Sequence, residues 1–560
     1  MTQTFDHTFD VVVVGSGGAA MATALGAVDE KLDVVMLEST EKWGGSTAMS
    51  GGGLWLPNNP LMQRERVSDS RESALEYMEA CIGDVGRCTS RERKEAFVDS
   101  VSDLVTTAER YGVEFVRAGE YPDYYPELPG GRIGRAVEVK PLDSKVLGDW
   151  YSTLRLTAPL PIMTDDVWLI QRAWSTWGGF KRGASLVFRM LGFLGTGRRG
   201  VGIGAALATA MFAGVVQKGG AKLWLSSPVE ELIFDGDRVV GVRITRDGRT
   251  QTVGARRGVM LAGGGFDRNA LMRVQYHGIE GDSSGNPGNL GSAIGLGQRA
   301  GAALELMDDA WRGASVIGAD GGDPSFIVGE RALPYSIMVD GRGERFANEA
   351  ESYVDLGHHM LEHDKDGAYW IIGEARHARR YMRTYAMDPR TNKKLAAEGL
   401  MAKADTVEAL ARKLRMEPAT LRATVDRFNA FARAGVDDDF GRGRSAYDRY
   451  YGDPSVIPNA NLGPLEKGPF TAYRVVIGDL GTKGGVVTDE FARALREDGS
   501  VIEGLYAAGN NSASVMGRTY PGPGSTIGPA AVFGLRGARH MAGAGSAGDL
   551  VGAGGSTSAG

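Results

Sequence analysis

Phe9-Asp10-Val11-Val12-Val13-Val14-Gly15-Ser16-Gly17-Gly18-Ala19-Ala20 is the stretch on which the fold of this 560-residue chain turns. Its uninterrupted β-branched run predicts a strand buried on both faces of a parallel sheet. The Gly-x-Gly-x-x-Ala pattern that ends it predicts a strand-to-helix turn: Gly15 for tightness, Gly17 for approach to a pyrophosphate, Ala20 for close packing of helix on strand. Alanine-rich sequence to Ala27 predicts the helix, and Leu32 to Leu37 a second buried strand, which completes a βαβ unit. Glu38 follows, eighteen residues beyond Ala20, where a carboxylate accepts hydrogen bonds from an adenosine ribose. A Rossmann-type α/β domain that binds a dinucleotide is the expectation.

Further glycine runs select the dinucleotide. Lys42 to Gly53 (KWGGSTAMSGGG) supplies a second set of bare backbone amides and hydroxyls, for which an NAD domain has no use. Ala262-Gly263-Gly264-Gly265 and Ala507-Ala508-Gly509-Asn510 repeat the theme of strand running into glycine. Together they point to FAD. The candidate contacts are Gly15, Ser16, Gly17, Gly18, Ala19 and Ala20, then Glu38 and Ser39. Gly45, Ser46, Thr47, Ser50 and Gly51 come from the second run, with Val229, Ala262, Gly263, Gly509, Asn510, Thr526 and Ile527 from later segments. The 82 glycines, about 15% of the chain and roughly twice average usage, have no three-residue repeat that would suggest collagen.

Composition removes other classes. A net charge of −6 disfavours a nucleic-acid binder. Two cysteines, Cys81 and Cys88, argue against a disulfide framework and for a reducing compartment. Seven histidines, including the adjacent His358 and His359, form no metal-ligand constellation, so no metal is expected. The opening MTQTFDHTFD has neither a basic nor an apolar signal region, so a cytoplasmic chain is the default. Residues 69 to 117 read as polar-faced helices and 223 to 244 as strand, turn, strand. Leu421, Val425, Phe428 and Ala432 mark an amphipathic helix. From Met541 the Gly/Ala/Ser-rich sequence predicts a disordered tail.

One segment stands apart. Val167 to Val229 contains no acid, while Arg172, Lys181, Arg182, Arg189, Arg198, Arg199, Lys218 and Lys222 are all basic. Polar positions 172, 175, 179, 182, 185 and 189 recur near helical period, opposite Ile170, Trp174, Trp177, Phe180, Val187 and Leu191. Such a helix lies in a membrane interface, or packs its apolar face on the domain or on a partner. Residues 201 to 216 are apolar but too short for a comfortable span, and read as a buried helix.

These blocks, with YPDYYPELPGG (121–131), DDAW (308–311), GERFANEAESY (343–353), GDLGTKGG (478–485) and GLYAAGNNSASVMGRTYPGPGSTIGP (504–529), resemble the bacterial 3-ketosteroid Δ1-dehydrogenases. These are relatives of the fumarate reductase and succinate dehydrogenase flavoproteins, and the likeness runs from about 9 to 541. The resemblance implies non-covalent FAD and an α+β catalytic domain, expected at 310–476, inserted between flavin-domain parts at 1–309 and 477–541. It implies a 3-ketosteroid substrate, such as 4-androstene-3,17-dione or cholest-4-en-3-one, and an electron acceptor, a quinone or similar, that the sequence leaves unidentified. It also implies Tyr353 as base for the carbon 2 proton, Tyr520 and the Gly524 N–H as ketone binders, and Tyr124 as partner of the base, with Tyr121 and Tyr125 near enough to exchange with it. Leu290-Gly291-Ser292 replaces the usual Thr-Gly-Asp, and the basic segment resembles an insertion of the longer members. The competing readings are a Δ4-dehydrogenase of 5α-3-ketosteroids, a fumarate-type reductase clamping a dicarboxylate with Arg342 and Arg345, and a lipid-binding flavoprotein without turnover.

Overall fold

The computed structural model describes residues 4–156 and 160–543, so the predicted tail lies outside the described residues beyond its first three positions. Met541 and Ala542 instead close the helix Ile527–Ala542. The predicted strand forms as His7–Val14, with Val11, Val12 and Val13 fully buried. It pairs in parallel with Val34–Leu37 on one side and Arg249–Leu261 on the other. Val501–Ala507 and Lys222–Trp224 extend the parallel set outward. Antiparallel additions bring the sheet to eight strands. The glycine turns after Val14, Leu261 and Ala507 therefore leave the same edge, the carboxyl ends of parallel strands, where α/β sheets bind ligands.

Two helices back this sheet. Gly18–Asp29 is buried from Ala19 to Val28 without a break, because it lies between the sheet and Ile527–Ala542. Small residues make that packing possible: a Cβ at Gly26 would lie 2.8 Å from that of Ala538, and one at Gly534 2.5 Å from the Ala19 carbonyl oxygen. Residues 115–117, expected as helix, form the strand Phe115–Arg117. That strand pairs with Ala136–Val139, which pairs with Leu54–Trp55.

A second sheet of seven strands is organised by Phe470–Thr482, with Ala310–Val316 and Tyr369–Gly373 antiparallel on its flanks. The predicted amphipathic helix, Pro418–Ala434, buries Leu421, Val425, Phe428 and Ala432 in this unit's core.

The basic segment folds differently from a single helix. It breaks at 172–176 into Thr164–Gln171 and Trp177–Gly195. Its polar stripe faces inward: Asp166, fully buried, accepts a hydrogen bond from Arg189 at 2.6 Å and forms an ion pair with Arg182 at 2.9 Å. The apolar stripe is therefore left outside, with Trp177 68% and Phe188 73% exposed. Asp166 compensates the charge of these half-buried arginines. Residues 203–212 form a buried helix, and among the described residues no helix is long and apolar enough to cross a membrane.

Replacing Gly26 by Val forces the two backing helices apart, which costs on the order of 1–3 kcal/mol. Thermal unfolding of Gly26→Val should show a lowered midpoint; an unchanged midpoint would contradict the close packing described.

Candidate active site

A cavity of about 520 Å³ opens between the carboxyl edge of the large sheet and the second sheet. The sequence-nominated cofactor residues line it, with one exception. Ala20, in the first turn of helix Gly18–Asp29, is fully buried, so it serves packing and is not a lining residue.

The cradle is set by bare backbone. Gly15 has φ +110°, and a Cβ there would lie 2.4 Å from the Ala262 carbonyl oxygen. Helix Gly18–Asp29 starts at Gly17 with no side-chain cap, and a Cβ on Gly45 would come within 3.2 Å of the Gly17 Cα. The Gly18 amide donates to Thr47 Oγ1 at 2.9 Å, and the other first-turn amides of this N-terminus suit a diphosphate. Glu38 is oriented by its neighbours: the Ser16 hydroxyl donates to Oε2 at 2.6 Å, and the Thr40 amide and hydroxyl donate to Oε1 at 3.0 and 2.9 Å. A carboxylate held this way can accept from ribose hydroxyls. A second N-terminus, that of Ile527–Ala542, also lacks a side-chain cap and brings Thr526 and Ile527 to the cavity wall. Its positive end suits an electron-rich ring edge. These residues fit FAD.

Sequence reasoning missed several lining groups. Asn289 donates to Ser46 Oγ at 3.0 Å and to Asp267 at 2.9 Å, which fixes the second glycine run. Ser292, the residue in place of the usual acid, also lines the cavity. Glu138 was unmarked by any motif. It is buried in the cavity wall and accepts from the Thr164 amide and hydroxyl at 2.9 and 3.0 Å through Oε2, while Oε1 has no partner. Burial, with Asp165 and Asp166 nearby, pushes its carboxyl up to about 7. Behind that lining, Tyr447, Tyr450 and Tyr451 pack against Tyr121 and Tyr124, from more than three hundred residues away in sequence.

The four catalytic candidates share one corner. The Tyr520 ring lies 5.0 Å from those of Tyr353 and Tyr124, and Tyr124 meets Tyr353 edge-on at 5.7 Å. The loop before Gly524 is pinned, since the Tyr124 amide and the Tyr77 hydroxyl both donate to the Pro521 carbonyl, at 2.9 and 2.5 Å. Gly524 itself has φ +95°, and a Cβ there would lie 2.3 Å from the Gly53 carbonyl oxygen. Its N–H has no acceptor among the described residues, so it is free for a ligand oxygen.

Neighbouring tyrosines separate clearly. Tyr125 turns away and donates to Asp355 at 2.9 Å. Tyr121 shares the cavity, its hydroxyl bonded to that of Tyr451 and 3.4 Å from that of Tyr124. Tyr124 thus contacts Tyr353 through ring edges, and its hydroxyl faces Tyr121. Burial, followed by Tyr520, raises Tyr353 well above the ordinary phenol range; burial and the surrounding tyrosines do the same to Tyr124.

The dicarboxylate clamp finds no support. Arg342 is exposed beside Asp340, and Arg345 is buried against Glu349 at 2.8 Å and Asp437 at 2.9 Å. Neither lines the cavity.

Comparison with known proteins adds a family. A family model described as an FAD binding domain matches residues 10–527. The chain is 40% identical to a 3-oxosteroid 1-dehydrogenase of Mycobacterium tuberculosis, covering 95% of this chain and 98% of that one. It is 35% identical to a 4-oxocyclohex-2-ene-1-carboxylate 5-dehydrogenase of Sinomonas cyclohexanicum, covering 95% and 93%. Among solved structures it is similar to a 3-ketosteroid delta1-dehydrogenase of Sterolibacterium denitrificans in complex with 1,4-androstadiene-3,17-dione. That match has TM-score 0.89 and 36% identity, over 96% of this chain and 100% of that one.

If Glu38 accepts from the ribose, Glu38→Ala loses a charge-assisted hydrogen bond of about 1.5–3 kcal/mol. FAD titration followed by flavin fluorescence should show at least a tenfold weaker complex. Affinity equal to wild type would remove Glu38 from the cofactor site.

Proposed function

The chain belongs to the 3-oxosteroid 1-dehydrogenases among the FAD-binding flavoproteins, and on that footing we propose how its own residues carry out 1,2-desaturation of a 3-ketosteroid. The observation that supports this most is the meeting of Tyr353, Tyr520, Tyr124 and the free Gly524 N–H on one wall of the flavin cavity. The segment 310–476, whose strands form most of the second sheet, is the substrate-facing unit on this reading.

The ketone oxygen is held by the Tyr520 hydroxyl and the Gly524 amide, which stabilise the charge that develops on it as an oxyanion hole does. With that oxygen polarised, the proton on carbon 2 becomes removable. Tyr353, at the N-terminal end of helix Tyr353–Asp364, receives it. FAD supplies the acceptor for the carbon 1 hydride, at N5. Tyr124 packs against both partner rings and links them to Tyr121. A base whose phenol is raised well above 10 is mostly protonated at neutral pH, so the reactive fraction grows as pH rises.

Both curated relatives bear names that describe dehydrogenation of a ring carrying a ketone. The steroid is favoured here because apolar and aromatic side chains, Trp168, Phe326 and Val328 among them, line the cavity beyond the tyrosines. The basic segment supports a further proposal, peripheral contact with an anionic bilayer on the cytoplasmic side, in which a quinone-type acceptor also resides. Lys181, Arg198 and Arg199 are exposed beside the outward aromatic stripe, which is complementary to anionic headgroups over an apolar interior.

Tyr353→Phe should keep flavin and steroid binding and lose roughly 10²–10⁴-fold in kcat. In the wild type, kcat/KM should climb with pH between 7 and 10; a flat profile, or a near-normal rate in Tyr353→Phe, would sink the assignment of the base. At low salt the protein should co-sediment with anionic vesicles and Phe188→Glu should not; retention of the wild type in the supernatant would end the membrane proposal.

A further inference from the structure

Two motifs have no role in the chemistry above: DDAW at 308–311 and GDLGTKGG at 478–485. The fold brings them together in a buried charged cluster behind the tyrosine wall. Asp309, 2% exposed, accepts from Lys483 Nζ at 2.9 Å, and its other oxygen lies 2.8 Å from His358 Nε2. Lys483 is fully buried and also donates to the Arg518 carbonyl at 2.5 Å. Its ammonium stands 5.1 Å from the centre of the Trp311 ring. Trp311 in turn meets Tyr520 edge-on at 5.4 Å and donates through Nε1 to Asn510 at 3.2 Å. The backbone repeats the link, with the Lys483 amide on the Asp309 carbonyl at 3.1 Å and the Ser514 amide on the Lys483 carbonyl at 3.1 Å.

The connectivity has a simple geometric meaning. His358 lies on the Tyr353–Asp364 helix, just over a turn beyond Tyr353. Arg518 precedes Tyr520 by two residues. One carboxylate is therefore joined to the element that carries the base on one side and, through Lys483, to the loop that carries the oxyanion donors on the other. Charge pairing makes the cluster tolerable: an ammonium and a carboxylate buried alone each cost several kcal/mol, and each here has the other plus further hydrogen bonds. Burial alone would raise the Asp309 carboxyl, yet Lys483 and His358 hold it far below the usual range, so the charge persists at neutral pH. Neither Asp309 nor Lys483 lines the cavity, so neither touches substrate.

We propose that Asp309 and Lys483 are positioning residues that hold Tyr353 in register with Tyr520 and Gly524, so that they govern kcat while leaving steroid affinity largely intact. This rests on the reading of Tyr353 as base and Tyr520 as ketone binder. A misplacement of about 1 Å between such groups costs on the order of 100-fold in rate.

The test uses the FAD-loaded enzyme. Lys483→Met should slow anaerobic flavin reduction by 4-androstene-3,17-dione about 100-fold, with little change in the steroid dissociation constant. In a Tyr353→Phe background the same substitution should add little, because the register it maintains no longer matters. An equal factor in both backgrounds, or a loss confined to binding, would overturn the proposal. Should Lys483→Met fail to retain flavin, His358→Gln, at a half-buried site, tests the same link: a smaller loss in kcat with KM unchanged is expected, and wild-type kcat would overturn it. Failure of the underlying reading shows separately, as a Tyr353→Phe enzyme that still turns over.

Discussion

The cavity depends on how closely bare backbone approaches bare backbone at three points. A methyl group at Gly15 would collide with the Ala262 carbonyl, at Gly524 with the Gly53 carbonyl, and at Gly52 with the Ile203–Gly204 peptide, each at 2.4 Å or less. All three have positive φ, so glycine is demanded by conformation as well as by space. These approaches join the parallel sheet, the three-stranded sheet and the Tyr520 loop into one wall. The Gly524 N–H, on the cavity lining, has no acceptor among the described residues.

Around that wall the protein places its charge in pairs. Lys483 lies against Asp309, Arg182 and Arg189 against Asp166, Arg345 against Glu349 and Asp437. The cavity-facing phenols are uncharged by comparison, raised by burial. The result is a low-dielectric pocket whose few donors are oriented before a ligand arrives, the condition under which hydrogen bonds to a developing oxyanion are most effective.

Much of this was legible in the sequence, for physical reasons. Val11 to Gly17 announces strand and turn because buried parallel strands need continuous β-branched residues and the turn needs glycine. Glu38, Gly45 and Gly509 could be placed on the cavity wall because each follows closely on a strand or glycine run that the sequence marks. Other features depend on packing that no local pattern encodes. Glu138 sits on the short strand Ala136–Val139, buried throughout, and only the fold places it on the cavity wall. The inward turn of Arg182 and Arg189 is decided by Asp166, which lies outside the acid-free window that drew attention to them. Tyr124 faces Tyr121 because helix 446–451 brings Tyr447 and Tyr451 beside them from more than three hundred residues away.

The central claim is that this tyrosine wall removes a proton from carbon 2 while a hydride leaves carbon 1 for the flavin. Single-turnover flavin reduction with 4-androstene-3,17-dione deuterated at carbon 1 measures it most directly. The account predicts bleaching of the oxidised flavin that is slowed several-fold by the label, with formation of the 1,4-diene in equal amount. Absence of bleaching, or bleaching indifferent to deuterium at carbon 1, would contradict it.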